Sequence, residues 1–310
     1  LKFALDNGCP SSASVTRAAA QHGHLAILKF AVEHGCHYED YITAFAAFSG
    51  NLEMIQWLHD MGLELTSLTC SWAALGGHLA ILQWLRANEC PWTSCTVNSA
   101  ASRGHLHVLK WALDNGCRFN ESAMTSAAQR GNLEIVQRLY DHHCPWDETA
   151  CTYAAAGGHL TVVQWMRSKG CPWNSFVLAA AAENGHLHVV QWAYENGCPC
   201  TLNVVREATD NGHMAILQWL LANGAPDHMM LCAWAASRGH LAMLQWLRSQ
   251  DYPWDEWTCR LAAENNQLEV LKWARANGCP WTWLTYERAS HLGFKELAAW
   301  AAANGCPTSS

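Results

Sequence analysis

The sequence predicts an all-α solenoid of antiparallel helix pairs, and three observations carry that reading. One stretch, Gly104-His105-Leu106-His107-Val108-Leu109-Lys110-Trp111-Ala112-Leu113-Asp114-Asn115-Gly116-Cys117, recurs at a fixed interval of 27 residues. Its opening Gly stands at Gly23, Gly50, Gly77, Gly104, Gly131, Gly158, Gly185, Gly212, Gly239 and Gly293, Asn266 fills the missing slot, and no insertion breaks the register. Each repeat holds two helical patterns, and the first Ala of an Ala pair is constant in the first of them from Ala19 to Ala289. A repeat of this size buries its apolar face only against its neighbours, so the period outranks every other reading. The expected organisation is a single domain over 1–310, with a partial repeat at 1–22 followed by eleven 27-residue units, the last incomplete.

Within a repeat, the first helix should begin after a Cys-Pro-Trp type of turn such as Cys144-Pro145-Trp146-Asp147-Glu148. The slot of Asp147 is held elsewhere by Ser12, Thr66, Thr93, Asn120, Asn174, Thr201, Asp255 and Thr282, whose side-chain oxygens suit a helix N-cap. The preceding Pro stops the earlier helix from running on. The constant Ala, as in Ala127-Ala128, lets helices approach to the short end of the usual interaxial range.

The second helix opens at Gly-His-Leu, and Leu106, Val108, Leu109 and Ala112 form one apolar stripe. Asn115-Gly116 then ends it, with the Gly adopting the left-handed conformation. Nine of the 18 tryptophans recur on this helix, at Trp57, Trp84, Trp111, Trp165, Trp192, Trp219, Trp246, Trp273 and Trp300, and should form a ladder. Arg138 takes the ladder slot between Trp111 and Trp165, where its guanidinium is expected to lie against an indole. At the ends, Leu1–Cys9 reads as the second half of a helix begun upstream, and the charged Lys295 in a slot of Leu or Met reads as a closing cap, with the chain ending near Ser310.

Composition narrows the function classes. With 50% hydrophobic and 15% charged residues the chain can bury a core, yet no window reaches the ~18 uninterrupted apolar residues of a membrane span. A net charge of -7 speaks against nucleic acid, whose binding rests on clustered Lys and Arg. Of the 15 cysteines, Cys9, Cys36, Cys90, Cys117, Cys144, Cys171, Cys198, Cys279 and Cys306 share one slot in the closing turn. Equivalent points on adjacent repeats lie roughly 8–10 Å apart, beyond the ~7 Å that a disulfide spans. These cysteines therefore read as small buried hydrophobes in a reducing, intracellular and most simply cytoplasmic setting.

Seventeen histidines beside the cysteines raise the question of metal. No two cysteines are separated by two residues, as zinc sites favour. His24, His78, His105, His159, His186, His213 and His240 fill one slot that Asn51, Asn132 and Gln267 also fill, so the side chain there makes a hydrogen bond at a helix start. The densest local cluster, His142-His143-Cys144, is part of a turn. Neither a metal site nor a cofactor is assigned. No phosphate loop or nucleophile elbow stands outside the repeat grammar, and Asp147-Glu148 and Asp255-Glu256 are acids suited to a first helical turn. The chain reads as no enzyme.

The pattern Ala-Ala-x-x-Gly-His-Leu-x-Val-Leu-x-Trp-Leu-x-x-Asn-Gly-Cys resembles the two-helix core of the ankyrin repeat over the whole chain. It is shortened relative to the family's ~33-residue unit, it lacks the Thr-Pro-Leu-His signature, and Gly-Cys-Pro-Trp stands where the family's β-turn finger begins. Such shortened arrays are similar to those of large DNA viruses and unicellular eukaryotes. The resemblance implies a right-handed superhelix, on the order of 100 Å long at 8–10 Å per repeat, with fingers reduced or absent. It also implies a protein-binding scaffold without catalytic activity.

In that family the first-helix face lines the groove where partners lie. Three variable positions spaced i, i+4, i+7 share this face here. Most repeats place small or polar groups there, for example Ser122, Ser126 and Gln129. Tyr41, Phe45 and Phe48 in one repeat and Leu68, Trp72 and Leu75 in the next should form one apolar patch, with Met230, Trp234, Trp257 and Leu261 as a weaker second patch. The expected partner is a protein, with neither nucleic acid nor membrane involved. A permanent structural subunit of a large assembly and a thiol- or metal-binding protein remain the alternatives, and the chain would be a monomer or an assembly component.

Overall fold

The constant alanines explain why the first helices stand where they do. Ala46 and Ala47, Ala73 and Ala74, Ala100 and Ala101, and their equivalents are buried, and first helices pack more closely against the first helices of adjacent repeats than second helices do against second helices. The computed structural model describes residues 13–309, and among these are 22 helices and no strand. They form consecutive pairs, from Ala13–Gln21 with Leu25–Glu33 to Trp283–His291 with Lys295–Ala303. Contacts group them into two compact bodies. One runs to Ala154 and includes Thr161–Cys171, and the other comprises Ala155–Leu160 and the chain from Pro172.

Four of the expected N-caps bond as side-chain caps. Asp147 accepts from the Thr149 amide at 2.9 Å, Asn174 from Phe176 at 3.0 Å, Asp255 from Trp257 at 3.1 Å and Thr93 from Cys95 at 3.3 Å. Thr66 forms a capping box with Thr69. Asn120, Thr201 and Thr282 keep the extended cap backbone without a side-chain cap bond. For Asn120 the reason is competition, because its Oδ1 accepts instead from Asn98 Nδ2 of the preceding first helix at 3.1 Å. Ser12 and Cys9 lie outside the described residues.

Second helices end in a Schellman pattern. Around Gly116, at φ 77°, the Cys117 amide donates to the Ala112 carbonyl at 2.9 Å and the Gly116 amide to Leu113 at 3.0 Å. The turn cysteine then ties the two ends of its helix pair together. Its thiol donates to the carbonyl of the N-cap residue of its own repeat, as Cys117 to Thr93, Cys144 to Asn120 and Cys279 to Asp255, each at 3.4 Å. The burial expected of these cysteines is found, and a polar role is added to it. Cys36, Cys90, Cys117, Cys144, Cys171, Cys198, Cys279 and Cys306 are all buried, and none is in a disulfide.

The recurrent His works between repeats instead of within its own helix start. His105 Nε2 lies 3.1 Å from the Leu75 carbonyl and His78 Nε2 3.0 Å from Phe48, and His186, His213 and His240 reach Ala156, Glu183 and Asp210 in the same way. A carbonyl only accepts, so Nε2 carries the proton. The glycine two residues past that carbonyl is required twice over. Gly77 has φ 78°, and a Cβ there would sit 2.7 Å from the His105 ring. Asn51 and Asn132 replace His by capping their own helices, through Met54 at 2.9 Å and Ile135 at 3.1 Å. Asn266 can stand in the Gly slot, at φ 58°, where the His slot of the next repeat holds Phe294.

Two aromatic expectations need correction. The second-helix tryptophans do not meet one another as a ladder; several meet the turn Trp of the preceding repeat instead. Trp92 meets Trp111 at 5.7 Å, Trp254 meets Trp273 at 5.8 Å and Trp281 meets Trp300 at 6.0 Å, all steeply inclined. Where that Trp is missing, His59 meets Trp84 and Tyr194 meets Trp219. Arg138 turns to a carboxylate instead of an indole, with Nη2 2.8 Å from Asp114 Oδ1. A charge-assisted bond at that distance outweighs an exposed cation–π contact of about 0.5–1 kcal/mol.

Replacing Gly77 by Ala should cost about 2–3 kcal/mol, combining left-handed strain with loss of the His105 bond. Gly116→Ala, with nothing within 4 Å of the added Cβ, should cost only the strain of about 1–2 kcal/mol. Urea denaturation of both variants measures the difference. Burial, ahead of nearby positive charge, holds the His105 imidazole below its ordinary value of 6.5. The unfolded chain therefore takes up that proton more readily, and this contribution to stability, present above pH ~6.5, is lost as the pH falls below it. A urea midpoint that drops between pH 7 and 5.5 in the parent, and less so in His105→Gln, is the expected result.

Candidate functional site: an aromatic face on the first helices

The variable first-helix face comes together around two adjacent helices, Ile42–Ser49 and Ser67–Gly76. Phe45 and Trp72 meet edge to face with centroids 5.1 Å apart, Phe48 meets the same indole at 5.8 Å, and Tyr41 meets Phe45 at 6.3 Å. Such pairs contribute about 0.5–1.5 kcal/mol beyond the area they bury. Tyr41 is 52% exposed and Leu68 48%, while Phe48, Trp72 and Leu75 are half-buried. Phe45 differs from expectation. At 7% exposure it is a core residue, closed over by Tyr41 and Trp72, and it supports the face without presenting a surface of its own.

The helices beneath the patch are tied by their own polar contact. Thr43 and Thr69 hydroxyls lie 3.1 Å apart on the buried side of the two helices. Ser71 Oγ donates to the Ser67 carbonyl at 2.9 Å, which keeps a hydroxyl satisfied beside the apolar face. The patch thus rests on a closely packed pair of helices.

In the second compact body, the group around Met230, Trp234, Trp257 and Leu261 is less open and more cationic. Trp257 is exposed, and Met230, Trp234 and Leu261 are half-buried. His228 stacks on Trp234 at 5.3 Å, the Arg206 guanidinium lies 5.8 Å from that indole, and Arg260 lies 4.4 Å from Trp257. Arg260 is fixed in turn by Glu264 at 2.9 Å. These indole faces already have partners, so less of their surface is free than around Tyr41 and Leu68. On the preceding first helix, Glu207 takes the slot of Phe45 and Trp72. Burial, and then repulsion from Glu183 and Asp210, raises its pKa above the ordinary carboxylate value.

Two exposed rings on first helices were not singled out from the sequence. Phe176, at 63% exposure, occupies the slot of Tyr41, Leu68 and Trp257, and Tyr153 occupies that of Phe45 and Trp72. Their slots were legible, but each stands alone among small neighbours on its helix. Beside Tyr153 a groove of about 470 Å³ is lined by Ser122, Ser126, Gln129 and Thr149. No group of three or more His, Cys, Asp or Glu side chains among the described residues is arranged to hold a metal ion. No helix among the described residues is long and apolar enough to cross a membrane.

Residues 70–176 match the family profile of ankyrin repeats in three copies. That stretch is similar to ankyrin repeats. The crystal structure of the human ASB11 ankyrin repeat domain is similar to this chain at 19% identity with a TM-score of 0.50, over 60% of this chain and 99% of that one. The likeness extends the helix-pair fold to more of the chain than the profile covers. No curated protein sequence matches the chain. Ankyrin repeats are in general protein–protein interaction modules.

Phe45→Ala should destabilise the fold by about 3–5 kcal/mol, as for a buried ring, whereas Leu68→Ala should fall within about 0.5 kcal/mol of the parent. Chemical denaturation of the two variants distinguishes supporting residue from presented residue.

Proposed function

We propose that the chain is a non-catalytic scaffold that binds a protein partner on the first-helix face, centred on Tyr41, Leu68 and Trp72. The observation that carries this reading is the exposure of Tyr41 and Leu68, in the same slot of adjacent first helices, beside a half-buried Trp72 that packs on a Phe45 already in the core. Apolar side chains left open around a rigid aromatic support are what an interaction surface needs, and Trp and Tyr are enriched at such sites. Phe48 and Leu75 extend the surface. Met230, Trp234, Trp257 and Leu261 form a secondary contact region whose paired arginines suit a polar rim. The partner is a protein with an apolar anchor, because this face offers no cluster of cations for a phosphate backbone. The repeat family's general role as an interaction module supports the same reading.

The alternative of a permanent assembly subunit differs in one observable. A scaffold is a well-behaved monomer by light scattering, while a subunit stripped of its assembly aggregates. The binding reading is tested by affinity capture from the source cell with the parent and with a Tyr41→Ser, Leu68→Ser double variant. The parent should retain a protein that the variant loses, with the thermal midpoints of the two within a few degrees. Equal retention by both would remove this face from the proposal.

A further inference from the structure

Four of the repeats share a constellation absent from the other complete ones. A buried first-helix cysteine is followed sixteen residues later by an arginine and twenty residues later by the turn residue: Cys70, Arg86 and Cys90; Cys151, Arg167 and Cys171; Cys259, Arg275 and Cys279; and Cys232, Arg248 and Tyr252. In three of them the turn residue is itself a cysteine. Elsewhere the first-helix slot holds Thr16, Thr43, Val97, Met124, Leu178, Val205 or Tyr286, and none of those repeats has the arginine.

The geometry makes the two cysteines of a repeat partners. Cys70 and Cys90 sulfurs lie 3.4 Å apart, both buried. In the other two repeats the same spacing sets Cys151 beside Cys171 and Cys259 beside Cys279, whose backbone carbonyl the Cys259 thiol approaches at 4.0 Å. The arginine is held over the turn. Arg86 and Arg275 lie 4.5 and 4.2 Å from the turn indoles Trp92 and Trp281. Arg86, Arg167 and Arg275 each donate to the backbone carbonyl of their turn cysteine. A cation is thereby fixed beside each thiol pair. The neighbouring first-helix thiol, aided by the arginine, lowers the pKa of Cys90, Cys171 and Cys279. Burial pushes Cys117 and Cys144, which lack a partner thiol, up to about 11.

We propose that Cys70–Cys90, Cys151–Cys171 and Cys259–Cys279 are three peroxide-oxidised thiol pairs, each closing to a disulfide that joins a first helix to the turn of its own repeat. A low-pKa thiolate with a second thiol in contact is the arrangement in which a sulfenic acid resolves to a disulfide. The Cys90 thiolate attacks one oxygen of hydrogen peroxide. The O–O bond breaks, giving Cys90 sulfenic acid and hydroxide, which takes up a proton to leave as water. Cys70 then gives up its proton and attacks the Cys90 sulfur. The S–O bond breaks and a second water leaves, so the pair loses two electrons to the peroxide. The sulfurs close from 3.4 Å to about 2.05 Å, a side-chain adjustment within one repeat. The helices so anchored carry Leu68 and Trp72, Tyr153, and Trp257 and Leu261, which links the oxidation state to the proposed binding face.

The test treats the full chain with hydrogen peroxide until the exposed Cys95 has reacted, both in buffer and in urea below the unfolding midpoint. Remaining thiols are then alkylated under denaturing conditions and the peptides mapped without reduction. The expected result is three linked peptides, each lighter by two hydrogens, while Cys232 and Cys117 remain alkylated. The Arg86→Gln variant should slow only the Cys70–Cys90 link, by about tenfold, and leave Cys259–Cys279 unchanged. If Cys95 has reacted and the three pairs remain reduced in both conditions, or if the cysteines link at random, the proposal is overturned.

Discussion

The imidazole that crosses from one repeat to the preceding one is the contact on which the register depends. Its Nε2–H reaches a carbonyl in the last turn of a first helix, which the helix itself leaves without a partner. That carbonyl is brought within reach only if the chain turns sharply after it and nothing projects from the turning residue. Gly50, Gly77, Gly158, Gly185 and Gly212 satisfy both conditions, with positive φ and a neighbouring ring where a Cβ would stand. Inserting one residue between the Gly and its His would rotate the ring off the carbonyl and strand two polar groups. The fixed 27-residue interval is the sequence trace of that constraint, and the buried Ala pair is its companion on the helix face that packs.

The closing turn solves a different problem, the joining of the two ends of one helix pair without a projecting finger. The left-handed residue ends the second helix, and the cysteine immediately after it returns to the N-cap carbonyl of the same repeat. Pro and Trp then lead out, and the Trp ring fills the space beside the next second helix. Glu89, His143 and Asp251 stand at positive φ in the left-handed slot, each at a cost of roughly 1–2 kcal/mol, so the pattern tolerates strain at scattered points. With each turn locally closed, the first-helix face is left to vary, and variation there separates a polar surface at Ser122 and Ser126 from an aromatic one at Tyr41 and Trp72.

The helix pairs, their boundaries and the buried Ala and Cys positions were legible in the sequence because each follows from a residue type repeated in one slot. What escaped depended on neighbours in space. Phe45 and Tyr41 share one face by helical spacing, yet Phe45 is closed over by Trp72 from the next helix, and periodicity along one helix does not report that. Arg138 was read against the tryptophans of its own slot, while its partner, Asp114, stands 24 residues earlier on the adjacent second helix. The tryptophan ladder failed for the same reason, since the ring that these tryptophans meet belongs to a turn. The spacing of Cys70 to Cys90 was visible in the sequence, but only the folded pair shows that their sulfurs meet.

The most direct measurement is the tautomeric state of the histidine rings by ¹⁵N-detected NMR of the labelled chain at neutral pH. His78, His105, His186, His213 and His240 should each hold a proton on Nε2, in slow exchange with water, because that nitrogen donates to a carbonyl of the preceding repeat. Rings protonated on Nδ1, or averaging rapidly between tautomers, would mean that the cross-repeat bond is absent and that the register is set by something else.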